Sequence, residues 1–175
     1  MEKIIIKDFK DIFVENVNPG KYKSKKDAIR LISYIFGLSE IKEKQKTVRY
    51  TGGYGVNSYD PYLCCEDMYV IKKLYKKTKK GLRHIYHIVV SFPKYIEDAN
   101  TIKLISVDIC QYFYQNGFQC IYGVHEDTED LHIHIAVNST SYKTGKQADL
   151  SIRDLKNISI TLKKIAYHIL KGNGY

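Results

Sequence analysis

The segment over residues 131–138, Leu-His-Ile-His-Ile-Ala-Val-Asn, constrains the fold most, because its residues alternate in character with a period of two. Successive side chains of a β-strand point to opposite faces of its sheet. The odd-numbered positions are all apolar and would enter a core, whereas His132, His134 and Asn138 would share the other face with Ala136. The pattern predicts a strand that presents two histidines side by side, with Cβ atoms roughly 7 Å apart.

A third histidine is expected to join this pair. His125 ends the preceding apolar run, which is itself predicted as a strand, and a short acidic segment separates it from His132. A hairpin would bring His125 back toward His132 and His134. Three neutral imidazoles suit a divalent metal ion and leave coordination positions for substrate and water. Asp127, in the hairpin loop, is placed to orient a ligand histidine, and His87 is a weaker candidate for a neighbouring role.

Periodicities along the rest of the chain predict an α+β fold. Apolar residues spaced for one helical face, preceded by capping residues such as Ser24 and Asp60, indicate four helices. We expect helices over residues 25–36, 61–77, 101–115 and 151–170. We expect strands over residues 3–6, 12–17, 84–92, 118–125 and 132–138, and a loop at the glycine-rich residues 50–57. The prediction is a single domain, residues 1–175, with a central antiparallel sheet and helices packed on its face or faces.

The charge of the chain favours an acidic partner. Its 28 lysines and arginines outnumber 19 acidic residues, for a formal net charge of +9. For a small basic domain the commonest acidic partner is nucleic acid. Basic residues cluster around the first predicted helix and after the second, with tyrosines among them, so they could contact phosphates while the tyrosines stack on unpaired bases. The candidate DNA contacts are Lys25, Lys26, Arg49, Tyr54, Lys76 and Lys77.

The sequence also argues against several classes of protein. It has no phosphate-binding Gly-Lys-Ser/Thr loop, which argues against an NTPase. No apolar run approaches the roughly 20 residues of a membrane span, and the first residues do not have the pattern of a signal peptide. The four cysteines form no Cys-x-x-Cys pair, which favours free thiols and a cytoplasmic location.

Two motifs resemble those of plasmid mobilisation relaxases, which are members of the HUH endonuclease superfamily. The sequence His-x-Asp at 125–127, followed by His-x-His-x-x-x-Asn at 132–138, is similar to the histidine motif of these relaxases. The superfamily is named for the His-hydrophobic-His pair within it. Leu-Ile-Ser-Tyr-Ile at 31–35 is similar to the helical segment that carries their catalytic tyrosine, and residues 86–92 resemble their central strand.

This resemblance, which extends over about residues 24–140, implies an HUH endonuclease-like fold and site-specific nicking of single-stranded DNA. It implies that a tyrosine attacks a phosphodiester at the transfer origin of a plasmid or mobile element, leaving a 5′-phosphotyrosyl link and a 3′-hydroxyl. A bound divalent metal ion, Mg²⁺ or Mn²⁺, would polarise the phosphate. The implied site residues are Tyr34 and Asp127 for catalysis, His125, His132 and His134 for the metal, and Asn138 for DNA contact.

The base and the nucleophile are not settled by the sequence. A tyrosine needs activation, and the base could be Asp127, His87 or water. Among the 16 tyrosines, Tyr34 is favoured by its place in the helical motif. The rival nucleophiles near the glycine-rich segment are Tyr50, Tyr54 and Tyr59.

Two alternative functions remain open. Rolling-circle replication initiators and transposases of the same superfamily carry their nucleophile after the histidine pair, where the candidates are Tyr142 and Tyr167. A non-catalytic DNA-binding module is the alternative of another class. For a relaxase the expected partners are single-stranded DNA at a transfer origin and accessory mobilisation proteins, with no membrane.

Overall fold

Five strands form one antiparallel sheet in the computed structural model, which describes residues 11–16, 22–38, 48–126 and 130–175. The strands are β1 Phe13–Asn16, β2 Val48–Tyr54, β3 Ile85–Ser91, β4 Cys120–His125 and β5 His132–Asn138. Their order across the sheet is β1-β3-β5-β4-β2, and every neighbouring pair is antiparallel. The strand with the two histidines is therefore the central one.

Four helices begin where side chains cap their first turns. They are α1 Lys25–Ile35, α2 Pro61–Leu74, α3 Ala99–Gln115 and α4 Ile152–Gly172. Ser24 and Asp60 accept hydrogen bonds from backbone N–H groups in the first turns of α1 and α2, as the sequence predicts. Ser151 and Asp154 form a reciprocal capping box at α4. Asp98 caps α3, so this helix begins slightly before the predicted position.

The helices cover both faces of the sheet. On one face, α3 and α4 pack on a core that includes the apolar positions of β5, Ile133, Ile135 and Val137. On the other face, α1 and α2 pack around Ile121 and Ala136. The fold is α+β with a central antiparallel sheet, which is the class that the sequence predicts. The histidine face of β5 is the face that α1 and α2 cover.

The largest difference from the sequence prediction is at residues 50–57, which were expected to form a loop. Residues 50–54 of this segment instead belong to the edge strand β2, which pairs with β4. A Cβ on Gly52 would lie 2.6 Å from Tyr122 Oη, and one on Gly53 would lie 2.5 Å from the Cys120 carbonyl oxygen. These glycines therefore permit close packing within a strand.

Two smaller differences concern element ends. Helix α2 ends at Leu74 rather than at residue 77, and Lys76 takes a left-handed backbone conformation with φ 55°, which does not continue a helix. The strand predicted over residues 3–6 lies outside the described residues.

Candidate metal and nucleophile site

The hairpin of β4 and β5 brings together the three histidines predicted to bind a metal ion. His125 pairs directly with His132 across the hairpin, and His134 pairs with Gly123. All three histidines are buried. One nitrogen from each imidazole can be chosen so that all three atoms lie within 4.8 Å of one another, a separation that a single ion can bridge.

Backbone carbonyl groups fix the tautomers of two of these histidines. His125 Nε2 lies 3.0 Å from the carbonyl oxygen of Ile35, and His132 Nδ1 lies 3.0 Å from the carbonyl oxygen of Asp130. A carbonyl oxygen can only accept, so each of these nitrogens carries the proton and donates. The lone pairs therefore lie on Nδ1 of His125 and Nε2 of His132. This donor set of neutral imidazoles fits a divalent transition-metal ion.

His134 differs from the other two histidines because its partner is another imidazole. Its Nδ1 lies 2.9 Å from Nε2 of His87, which is buried on β3. Burial lowers the pKa of His87 to about 4, with a smaller contribution from nearby His125, so His87 is neutral at pH 7. His87, a weaker candidate from sequence, is thus in direct contact with a predicted metal ligand.

Helix α1 places Tyr34 against the histidines. The buried stripe of α1, Ala28, Leu31, Ile32 and Ile35, packs on the sheet. Tyr34 lies beside this stripe near the end of the helix, and its hydroxyl oxygen is 3.5 Å from Nε2 of His134. Its ring centroid is 5.0 Å from that of His134 and 5.4 Å from that of His125.

Gly123 allows the end of α1 to approach the sheet this closely. A Cβ at this position would lie 2.2 Å from the Ile35 carbonyl oxygen and 3.1 Å from His125 Nε2. Any side chain on Gly123 would therefore displace the helix end that carries Tyr34. Sequence reasoning did not single out Gly123, although a glycine inside an apolar strand is a sign of close backbone approach.

Comparison with known proteins identifies the family. The family profile described as "Relaxase: MobA/VirD2-like, nuclease domain" matches residues 34–168. The chain belongs to this relaxase family. This confirms the resemblance to relaxases that the sequence motifs indicated, and residues 34–168 correspond to a relaxase nuclease domain.

Individual relatives of the relaxase domain agree with this assignment. A protein named TraI from Escherichia coli is 31% identical over 149 residues, which cover 83% of this chain and 20% of TraI. Another protein named TraI, also from Escherichia coli, is 43% identical over 54 residues, covering 30% of this chain and 7% of TraI. The chain spans about a fifth of the length of the first of these relatives.

A solved structure has the same fold as the relaxase domain. It comes from work described as "Molecular Basis of Vancomycin Resistance Transfer in Staphylococcus aureus", and the match has a TM-score of 0.63 at 14% identity, covering 94% of both chains.

Among the helices that the structure describes, none is long and apolar enough to span a bilayer.

The rival tyrosines of the relaxase domain lie away from the histidines. Tyr50 donates a hydrogen bond to Asn100 of α3, and Tyr54 packs on Tyr114 of α3. Tyr142 donates to the Tyr114 carbonyl oxygen, and Tyr167 lies on α4 against the core of that face. Tyr59 is 92% exposed in the connection between β2 and α2. Of the candidate nucleophiles raised by the sequence, Tyr34 is the one with described contacts to this group, through His125 and His134.

Asn138, which the sequence analysis expected to contact DNA, lies in the interior of the structure. Its side chain is fully buried, and its amide donates to the Met68 carbonyl oxygen and to Gln119 Oε1. Helix α2 covers this end of β5, so Asn138 ties the helix to the sheet. Tyr54, also expected to contact DNA, has its ring against Tyr114 of α3, on the face of the sheet opposite the histidines.

The predicted basic contacts of the relaxase domain fall into two groups, one on α1 and β2 and the other after the end of α2. Lys26 is exposed on α1, and Arg49 pairs with Glu126 beside His125. Lys25 pairs with Glu66 and lies over the ring of Tyr69.

The second group consists of Lys76 and Lys77, which follow α2 at the Asn138 end of β5. Along β5 this is about 20 Å from His132. Sequence reasoning overlooked Arg30, which is exposed on α1 between Lys26 and Tyr34. Its signal was the spacing of four residues from each of these neighbours. Asp127 lies outside the described residues.

Proposed function

We propose that this domain nicks a single DNA strand by transesterification, with Tyr34 Oη as the nucleophile. The observation that carries the proposal is the position of the Tyr34 hydroxyl, 3.5 Å from His134 Nε2 and against the three-histidine group. Membership of the relaxase nuclease family supports the same chemistry. The proposed target is a transfer origin of a plasmid or mobile element, in the cytoplasm, with accessory mobilisation proteins as further partners.

In the proposed reaction one phosphodiester bond replaces another. Tyr34 Oη forms a bond to phosphorus, and the bond from phosphorus to the 3′-oxygen breaks. The phenolic proton leaves the tyrosine, and the departing 3′-oxygen takes up a proton to become a hydroxyl. The product is a 5′-phosphotyrosyl link that retains the ester bond, so the reaction needs no ATP.

The histidine group supplies the metal site in this proposal. His125, His132 and His134 would hold a divalent ion, which when bound stabilises the negative charge on the phosphate oxygens. Imidazole nitrogens suit Mn²⁺ better than Mg²⁺, which prefers oxygen ligands. We therefore expect Mn²⁺ to bind more tightly than Mg²⁺ to this site.

The positions of the side chains argue against one of the three candidate bases for the phenolic proton, His87. His87 contacts His134 at Nδ1, whereas Tyr34 lies at Nε2 on the other side of the ring. His87 is therefore not placed to take the proton from Tyr34 directly. Asp127 and water stay as candidates.

The exposed side of α1 offers a path for the DNA strand. Lys26 and Arg30 are exposed, and with Tyr34 they are spaced four residues apart, so they lie on the same side of the helix. Each step along this row is about 6 Å. We propose that the phosphates on one side of the nick lie along this row, where Lys26 and Arg30 contact them. Such contacts depend on salt concentration and not on base sequence.

A covalent-adduct assay tests the proposed nucleophile. The domain is incubated with Mn²⁺ and a diverse pool of labelled single-stranded oligonucleotides, then run on a denaturing gel. Tyr59→Phe is the matched control, since Tyr59 is exposed and none of the ring contacts among the described residues joins it to a histidine. We expect an adduct with wild type and Tyr59→Phe and none with Tyr34→Phe. An adduct that survives Tyr34→Phe would place the nucleophile elsewhere.

A further inference from the structure

We propose that His87 and Tyr22 are positioning residues that hold His134 in the tautomer able to bind a metal ion. The proposal rests on the three-histidine metal site of the proposed function. It assigns a role to two residues outside that site, one on β3 and one in the segment before α1.

The need for such a device follows from how the three ligands are held. Backbone carbonyl groups, which can only accept, fix the protons of His125 and His132. Beside His134 Nδ1 there is instead Nε2 of His87, at 2.9 Å, which can either donate or accept. The tautomer of His87, that is, which of its two nitrogens carries the proton, therefore decides which nitrogen of His134 carries the lone pair.

One direction of this hydrogen bond leaves His134 able to bind the ion. If His134 Nδ1–H donates to His87 Nε2, the lone pair of His134 lies on Nε2, on the side of Tyr34. If His87 donates, Nε2 of His134 carries the proton and cannot be a ligand, and its Nδ1 is occupied by His87. Metal binding thus requires His87 to be an acceptor at Nε2, with its own proton on Nδ1.

The Tyr22 hydroxyl lies where it can accept a hydrogen bond from His87 Nδ1–H. Its hydroxyl oxygen is 3.1 Å from His87 Nδ1. The Tyr22 backbone is held in turn, because its carbonyl oxygen accepts a hydrogen bond from His84 N–H. The chain of hydrogen bonds in the metal-binding state therefore runs from His134 to His87 to Tyr22.

The strand register explains why His87 can reach His134. His87 is paired with Ala136 across β3 and β5, and His134 is two residues along β5 on the same face. Diagonal neighbours at this separation are within reach of aromatic side chains. Ala136, the residue paired with His87, carries only a methyl group, and both imidazole rings are buried.

Mn²⁺ affinity, measured by calorimetry without DNA, tests the role of His87. We expect His87→Leu to weaken Mn²⁺ binding about 10–100-fold, the range found when a residue that hydrogen-bonds to a metal ligand is replaced. We expect His87→Gln to restore affinity to within about threefold of wild type, because the glutamine Oε1 can accept from His134 Nδ1–H. Unchanged affinity in His87→Leu, or no rescue in a folded His87→Gln, would overturn the proposal.

A buried histidine on the same strand gives a matched control. The His84 side chain also contacts a tyrosine, with its Nδ1 2.6 Å from Tyr69 Oη, and none of its described hydrogen bonds reaches a metal-ligand histidine. The hydrogen bond from His84 to the Tyr22 carbonyl oxygen is made by the backbone N–H, which His84→Leu keeps. We expect His84→Leu to lower thermal stability and leave Mn²⁺ affinity unchanged. An equal loss of affinity in His84→Leu and His87→Leu would mean that both act through stability, which would overturn the positioning role.

The tautomer itself is observable by nitrogen NMR on ¹⁵N-histidine protein loaded with diamagnetic Zn²⁺. We expect wild type to show a proton on Nδ1 of both His134 and His87. Tyr22→Phe keeps the ring and removes the acceptor, and we expect weaker Mn²⁺ binding and a mixture of His87 tautomers in the metal-free protein. A proton on Nε2 of His87 in the loaded wild type would overturn the proposal.

These outcomes separate the positioning role from the metal site. If wild type bound neither Mn²⁺ nor Zn²⁺, the metal site of the proposed function would fail, and the positioning role would fail with it. If wild type bound the ion and His87→Leu bound it equally tightly, the metal site would stand and the positioning role alone would be overturned.

Discussion

The carbonyl oxygen of Ile35, the last residue of α1, lies 3.0 Å from Nε2 of His125 at the end of β4. The contact joins the helix that carries Tyr34 to the strand that carries a predicted metal ligand. Tyr34 is the residue immediately before Ile35, so this hydrogen bond fixes the tautomer of His125 and the position of the tyrosine together. The candidate nucleophile and the candidate metal site are therefore built as one unit.

Replacing Gly123 should damage this unit. The Cβ of Gly123→Ala would lie 2.2 Å from the Ile35 carbonyl oxygen, so the end of α1 must move away from β4. We expect the yield of covalent adduct to fall more than tenfold and the free energy of unfolding to fall by about 1–3 kcal/mol, the usual cost of overpacking. Adduct yield and urea denaturation measure these effects.

Gly172→Ala is the control for that change, because a Cβ there meets nothing within 4 Å. It should leave both the adduct yield and the stability close to wild type. If Gly123→Ala behaved in the same way, the close approach of α1 would not matter for the chemistry.

Loss of the metal site should abolish the reaction without unfolding the domain. We expect His132→Ala combined with His134→Ala to eliminate Mn²⁺ binding in calorimetry, because only one of the three imidazoles then remains. Excess chelator should abolish the adduct in wild type, and added Mn²⁺ should restore it. His168→Ala, on the exposed side of α4, is the matched control and should bind Mn²⁺ normally. Adduct formation that persisted in chelator would contradict metal assistance.

The salt dependence of DNA binding should report on α1. Arg30→Gln removes one exposed charge from the row that leads to Tyr34, so we expect weaker binding to single-stranded DNA. The slope of log affinity against log salt concentration should become shallower by about 0.7. Lys164→Gln, exposed on α4 on the other face of the sheet, should change neither quantity. An unchanged slope in Arg30→Gln would remove α1 from the DNA path.

Lys72 should give the stability of the domain a pH dependence. This lysine is fully buried on α2, where its ammonium donates to Ser139 Oγ and Thr140 Oγ1. Burial lowers its pKa to about 7, partly offset by Cys65, whereas the unfolded chain keeps a value near 10.5. Between these values the unfolded chain binds more protons, so the contribution of Lys72 to stability rises with pH.

Lys72→Met tests that sign. We expect the variant to be more stable than wild type near pH 7, and we expect this advantage to shrink as the pH rises toward 10. Urea denaturation of both proteins at several pH values measures the difference, in which the titration of other groups largely cancels. A difference that stays constant with pH would contradict the prediction.

The sequence predicted the parts of the site that depend on local pattern. Strict alternation along β5 indicated its two faces, and the short hairpin predicted that His125 meets His132. Ser24 marked the start of the helix that carries Tyr34. Period, cap and loop length are local properties, so a single sequence is enough to reveal them.

The parts that were missed depend on contacts between distant segments. Glycine-rich residues 50–54 looked like a loop because their strand exists through pairing with β4. Asn138 looked available because nothing local indicates that α2 covers it. His87 contacts His134 through a strand register, and Gly123 matters through a helix packed over it. Neither relationship is visible before the strands and helices are assembled.

Mass spectrometry of the covalent adduct tests the central claim most directly. The adduct formed with Mn²⁺ is digested with nuclease and then with trypsin, which cleaves after Arg30 and Lys42 to give a peptide of residues 31–42. Tyr34 is the single tyrosine in that peptide. We predict that the nucleotide mass is found on this peptide. Finding it on a peptide that contains another tyrosine, such as Tyr142 or Tyr167, would contradict the account.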